Sequence, residues 1–164
     1  MPEHEYKTGG PRFLALLIDG VIMSAVTNWI EWLMTPQLGV IGNVLLAVAF
    51  SLITPAYPIY MHGRFGQTFG KFIAGVRVRD INGGRLSYKQ AAVRDFVPVL
   101  LAPVTLWYYV HYVATGEVPH AGLYRSASSM ALAWVVLEML TMLLNDKRRA
   151  IHDFIANTVV VRIR

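Results

Sequence analysis

No cysteine occurs in the 164 residues, and charged side chains make up only 15% of them. The first absence excludes a disulfide scaffold, a thiol nucleophile and any cysteine-ligated zinc or iron–sulfur centre. The second, with 55% apolar residues and a mean hydropathy of +0.44, excludes a disordered chain and is too apolar for an ordinary water-soluble domain. The length suits one domain, read here over 1–164. What remains is an integral membrane protein. Its formal charge of +5 then speaks of sidedness before it speaks of nucleic acid, and no nucleic-acid partner is expected.

Four runs approach the roughly 20 apolar residues that cross the hydrocarbon as a helix: 13–34, 40–61, 96–113 and 128–144. The first is read as an uncleaved span, because it is long and no small-x-small cleavage site follows it. Fourteen of the 15 basic residues fall in the N-terminal tail, the loop 62–95 and the tail 145–164, leaving Arg125 alone on the other side. The positive-inside rule therefore predicts that both termini and the long loop are cytoplasmic, in a bacterial inner membrane. Trp29, Trp32, Trp107, Tyr108, Tyr109 and Tyr112 gather towards the outer interface as an aromatic belt.

The loop is more than a linker. Its GQTFGKFIAG segment, Gly66–Gly75, sets Gly66 and Gly70 in small-xxx-small spacing among Phe65, Phe69, Phe72 and Ile73, and reads as a short amphipathic helix at headgroup level. Alternation in VRVRD, an Asn82-Gly83 turn and RLSY then signal a hairpin, and TVVVRIR repeats the alternation at the chain's end. These runs can pair as a small sheet, valines towards the helices and arginines towards anionic lipid headgroups or solvent. No longer internal repeat is evident. The expected fold is all-α, with four transmembrane helices, an interfacial amphipathic helix and a small cytoplasmic β-ribbon.

A carboxylate inside a span costs roughly 2.5–3.5 kcal/mol on insertion scales, so each one needs a partner or a purpose. Asp19 and Glu138 are the two cases, each seven residues from the cytoplasmic end of its span, at Arg12 and Asn145. Pro55 and Pro58 leave the Ser51 and Thr54 carbonyls without a helical donor, and Pro98 and Pro103 do the same in the third span. Such free carbonyls face protein, water or an ion. The small and polar residues of span two, including Ser51, Thr54 and His62, trace one helix face. Two accounts compete. In one, Asp19 and Glu138 are neutralised by Arg12, Arg94 or a shared proton, and the prolines only shape helices. In the other, Asp19, Glu138, Ser51 and Thr54 form a site for a small cation or a proton. Arg12 and Asp19 lie two turns apart and point in opposite directions, so each is expected to contact a different helix.

Other chemistry is not signalled. GQTFGK is one residue short of a phosphate-binding loop and has Phe72 where Ser or Thr is required. His4, His62, His111, His120 and His152 show no metal-ligand spacing. No enzyme, metal or cofactor is expected.

Arg12-x6-Asp19, the GQTFGKFIAGVRVRDINGG segment and the terminal KRRAIHDFIANTVVV run together resemble the RDD family of small integral membrane proteins, named for one arginine and two aspartates. The resemblance maps Gly66, Thr68, Gly70, Lys71, Gly75, Arg77 and Val78 onto the family's glycine-rich segment. It adds Arg94 as a basic position, His152 with Asp153 as the second acidic motif, and Asn157 where glycine is common. It implies a membrane topology, marks Arg12, Asp19 and Asp153, and favours transport, including cation/proton exchange. The expectation is a carrier exchanging a small cation for protons, with Arg12, Lys71 and Asp153 in a cytoplasmic network. Four short helices enclose little pathway alone, so a homo-oligomer is expected. The alternatives are a non-transporting adaptor or assembly factor, which enlarging Gly70 or Gly75 would disrupt, and an anionic-lipid-binding protein.

Overall fold

A computed structural model describes residues 6–33, 36–117 and 121–163. His4, Met34, His120, Arg164 and the Pro98 side chain, all used in the sequence reading, lie outside the described residues. Helix α1 spans Gly9–Leu33, and a 3₁₀ turn at Pro36–Leu38 leads into α2, Gly39–Phe65. The short helix α3, Phe69–Ile73, precedes strand β1, Val76–Asp80. Helices α4 (Tyr88–Arg94), α5 (Phe96–Thr115) and α6 (Ala121–Leu143) follow, then α7 (Ile151–Ile155) and strand β2 (Thr158–Arg162).

Three helices, α1, α2 and the Arg125–Leu143 part of α6, are long and apolar enough to cross a membrane, with a fourth if α4 and the Val99–Thr115 part of α5, bent by 63°, are one broken span. Their outward faces carry the apolar side chains. Ile41, Leu52, Leu100, Met130 and Leu132 are each more than six-tenths exposed, which suits hydrocarbon and not water. Helix α2 runs unbroken through Pro55 and Pro58. It meets α5 through Phe50 and Tyr109, edge to face at 6.5 Å, while Phe96 meets Trp134 at 5.6 Å between α5 and α6. Tyr109 also donates to Glu31 Oε1 at 3.0 Å, joining α5 to α1.

The ribbon forms, but not as a local hairpin. The Asn82-Gly83 turn is made, with Gly83 at φ 86° and its N–H bonded to the Asp80 carbonyl at 2.8 Å. The RLSY segment then begins a helix instead of a strand. Ser87 caps α4 and exchanges a capping box with Gln90, a local pattern that outweighs a weak alternation. β1 pairs antiparallel with β2, centred on Val78↔Val160. Val76, Val78 and Val160 are buried with Leu86 and Ala91, while Arg77 and Arg79 take the other face with Val161 and Val159.

The molecule is an internal repeat, which corrects the sequence reading. Phe69 and Ile151 begin α3 and α7, and Val76 and Thr158 begin the strands. The shift is 82 residues each time. The same shift relates the left-handed residues Gly66 to Arg148 and Gly75 to Asn157. It also relates two hydrogen bonds flanking the ribbon, Ile81 N–H to the Asn157 carbonyl and Ile163 N–H to the Gly75 carbonyl. In both halves long helices lead to a short helix and then to a strand.

Candidate functional site

Under this shift Arg12 corresponds to Arg94, and the two converge on one carboxylate. Asp153, fully buried, receives Arg12 Nη2 at 2.8 Å on Oδ2 and Arg94 Nη1 on Oδ1. Thr158 Oγ1 and the Ala150 N–H, each at 3.0 Å, complete its bonds. Burial opposes ionisation of Asp153, but the charges of Arg94 and Arg12 outweigh it and hold the carboxyl well below the usual range. Arg12 also donates to the Arg148 carbonyl at 2.7 Å. The first helices of both halves are thus tied to the last short helix.

Asp19 has a different partner. Its Oδ2 accepts from Thr68 Oγ1 at 2.6 Å and its Oδ1 from the Gly70 N–H at 2.9 Å. Arg12 and Asp19, on one helix, therefore serve different elements, as their directions predict. Thr68 caps α3 through the Lys71 N–H at 3.4 Å, so the R-x6-D motif and the glycine-rich segment meet as one joint. Gly70 is required there, since a Cβ would lie 2.3 Å from the Ala15 carbonyl oxygen. Gly66 and Gly75 serve as turns, at φ 73° and 67°.

The position that Asp153 holds in the second half belongs to Lys71 in the first. Lys71 Nζ lies 3.0 Å from His62 Nε2, and His62 Nδ1 lies 2.9 Å from Asp95 Oδ2. An amine donates and a carboxylate accepts, so the ring carries its proton on Nδ1. Burial and the charge of Arg94 lower the Lys71 pKa to about 8, against the opposing pull of Asp95 and Asp19. Sequence reasoning missed this chain. Asp95 adjoins Arg94 and looks like its partner, yet Arg94 turns to Asp153.

Glu138 is bound by His152 Nδ1. Burial and Arg94 lower the His152 pKa more than Asp153 and Glu138 raise it, which favours the neutral ring. Its Nε2 is buried without a hydrogen-bond partner and lies 3.6 Å from Asp153 Oδ1. Neither Glu138 nor Asp19 is paired to an arginine among the described residues. Both line one cavity of about 140 Å³, together with Arg12, Lys71, Arg94 and His152. Ser51 and Thr54 are not brought to it. Their hydroxyls bond back to the Val48 and Phe50 carbonyls of α2, each at 2.9 Å. Among the described residues no group of three or more His, Asp or Glu could hold a metal ion.

No curated protein matches the chain, and no solved structure does. The model of the RDD family matches residues 6–157, the stretch that holds Arg12, Asp19, the glycine-rich segment, Arg94 and Asp153. A match over nearly the whole chain, on the residues that join its two halves, places this membrane protein in the RDD family.

Proposed function

We propose that the protein exchanges a small monovalent cation for protons, with its charged end in the cytoplasm of a bacterial cell. One observation carries this reading: Asp19 and Glu138, from α1 and α6, line the same cavity as the buried amine of Lys71. Intramembrane acids facing a cavity mark ion and proton paths in many carriers. The two carboxylates give the cavity the acidic groups that a proton and a cation would share. Lys71 supplies the coupling. As an ammonium it adds positive charge to the wall and competes with the cation; losing its proton near pH 8 favours cation entry. The return of a proton expels the cation. His62 relays between Lys71 and Asp95, whose side chain is 17% exposed.

The test is flux in proteoliposomes across Na⁺, K⁺ and H⁺ gradients. Asp19→Asn keeps an acceptor for the Gly70 N–H and is expected to abolish exchange at unchanged protein yield. Unchanged exchange in that variant refutes the assignment. Lys71→Gln is expected to retain flux but lose the rise in rate as pH passes through about 8; a wild-type pH profile in this variant removes Lys71 from the coupling.

A further inference from the structure

A second recess, on the far side of His62, has a different chemistry. Its volume is about 420 Å³, and Arg64, Arg77, Arg79 and Arg85 line it with no carboxylate among its lining residues. Among the described residues none of the four is in an ion pair. Arg77 is oriented: its Nε donates at 2.8 Å to Oε1 of Gln67, a residue only 3% exposed, leaving the terminal nitrogens for another partner. A side chain at Gly66 would press on this arm, because a Cβ there would meet the Arg77 Cγ at 3.1 Å and the Val78 carbonyl oxygen at 2.9 Å.

Basic residues at one end of a membrane protein ordinarily need no explanation beyond sidedness. The internal repeat supplies a control for that explanation. The second half has its equivalent segment at the same end of the bundle, and the shift that relates the halves places Asp146 at the position of Arg64. It places Val159 and Val161 at those of Arg77 and Arg79. Sidedness would be served equally by either half. The second half carries Arg148, Arg149 and Arg162 as well, but Arg148 and Arg149 donate to the Leu143 and Thr158 carbonyls, whereas the four arginines of the first half surround a hollow. Guanidinium forks match phosphate oxygens in pairs, which lysine does not. We propose that this recess binds a phosphate group. Phe65, half-exposed at its rim, suits a phosphate carried by an anionic lipid, while a soluble phosphate would need only the arginines.

Two binding arms separate the sources. Purified protein is titrated with inorganic pyrophosphate, and in parallel placed in nanodiscs of phosphatidylglycerol or phosphatidylcholine, with retained lipid counted by native mass spectrometry. Retention of phosphatidylglycerol over phosphatidylcholine without pyrophosphate binding identifies a lipid site, and saturable pyrophosphate binding identifies a soluble one. Arg77→Gln/Arg79→Gln is expected to weaken the observed ligand at least about tenfold, the discrimination of one good bidentate contact. Arg64→Gln/Arg85→Gln, at two exposed positions that leave the ribbon intact, should weaken it similarly. Lys89→Gln/Lys147→Gln removes the same charge elsewhere and should change it less than about twofold, as a screened distant field does. Equal losses in all three variants, or no binding in either arm, overturn the proposal.

Discussion

Asp153→Asn is expected to destabilise the protein by about 4 kcal/mol, because it leaves two buried guanidinium groups facing one neutral amide. Arg12 would keep the Arg148 carbonyl at 2.7 Å and Arg94 would keep Thr158 Oγ1 at 3.0 Å, but neither bond cancels the charge. Thermal unfolding in detergent, followed by tryptophan fluorescence, should show a fall of about 10 °C. An unchanged unfolding temperature would mean that the two arginines are not held by this carboxylate. Adding Arg94→Met removes one of the stranded charges, so the double variant should lose less than the two single losses combined. The pH dependence has a definite sign. The folded carboxyl titrates well below its ordinary value of 3.8, so its contribution is fully present above that value. It erodes as pH falls below it towards the folded pKa. Asp153→Asn should therefore be weaker than the parent at neutral pH and lose this acid sensitivity.

Much of this arrangement is legible in the sequence, and the part that is not has physical reasons. Hydropathy marks the long helices because a span must be apolar along its length. Alternating Val76 and Val78 mark β1 by the face it buries, whereas β2 buries Val159, Val160 and Val161 on both faces. The choice of partner for β1 is not local, since RLSY and TVVVR both follow turns. The Ser87-x-x-Gln90 capping box, visible in the sequence, was the signal that decides it. The repeat leaves only two short traces. Tyr6-Lys7-x4-Arg12 matches Tyr88-Lys89-x4-Arg94, and Phe72-Ile73-Ala74 matches Phe154-Ile155-Ala156. Between them the membrane helices have diverged freely, because hydrocarbon accepts one apolar residue nearly as well as another. The cavity was legible only as two isolated acids. Its walls also take in Lys71 and His152, on five-residue helices whose placement depends on contacts far away in the chain.

Gly70→Ala should be nearly as damaging as the loss of Asp153, although it adds one methyl group. Its Cβ would sit 2.3 Å from the Ala15 carbonyl oxygen and 2.8 Å from the Asp19 carboxylate. The Ala15 carbonyl belongs to the backbone of α1 and cannot rotate away, so α3 must lift from α1. That movement stretches the bonds from Thr68 and Gly70 to Asp19, at 2.6 and 2.9 Å, and leaves a carboxylate in the bundle without donors. Overpacking together with the loss of charge-assisted bonds amounts to about 4 kcal/mol. Lys71, the next residue, would be drawn away from His62, so proton coupling should fail along with stability. Gly20→Ala is the control, because nothing lies within 4 Å of a Cβ there and alanine favours a helix interior by about 1 kcal/mol over glycine. Thermal unfolding should separate the two variants in opposite directions from the parent. If both unfold at the same temperature, α3 is not seated on α1 through Gly70, and the joint between the R-x6-D motif and the glycine-rich segment has been placed wrongly.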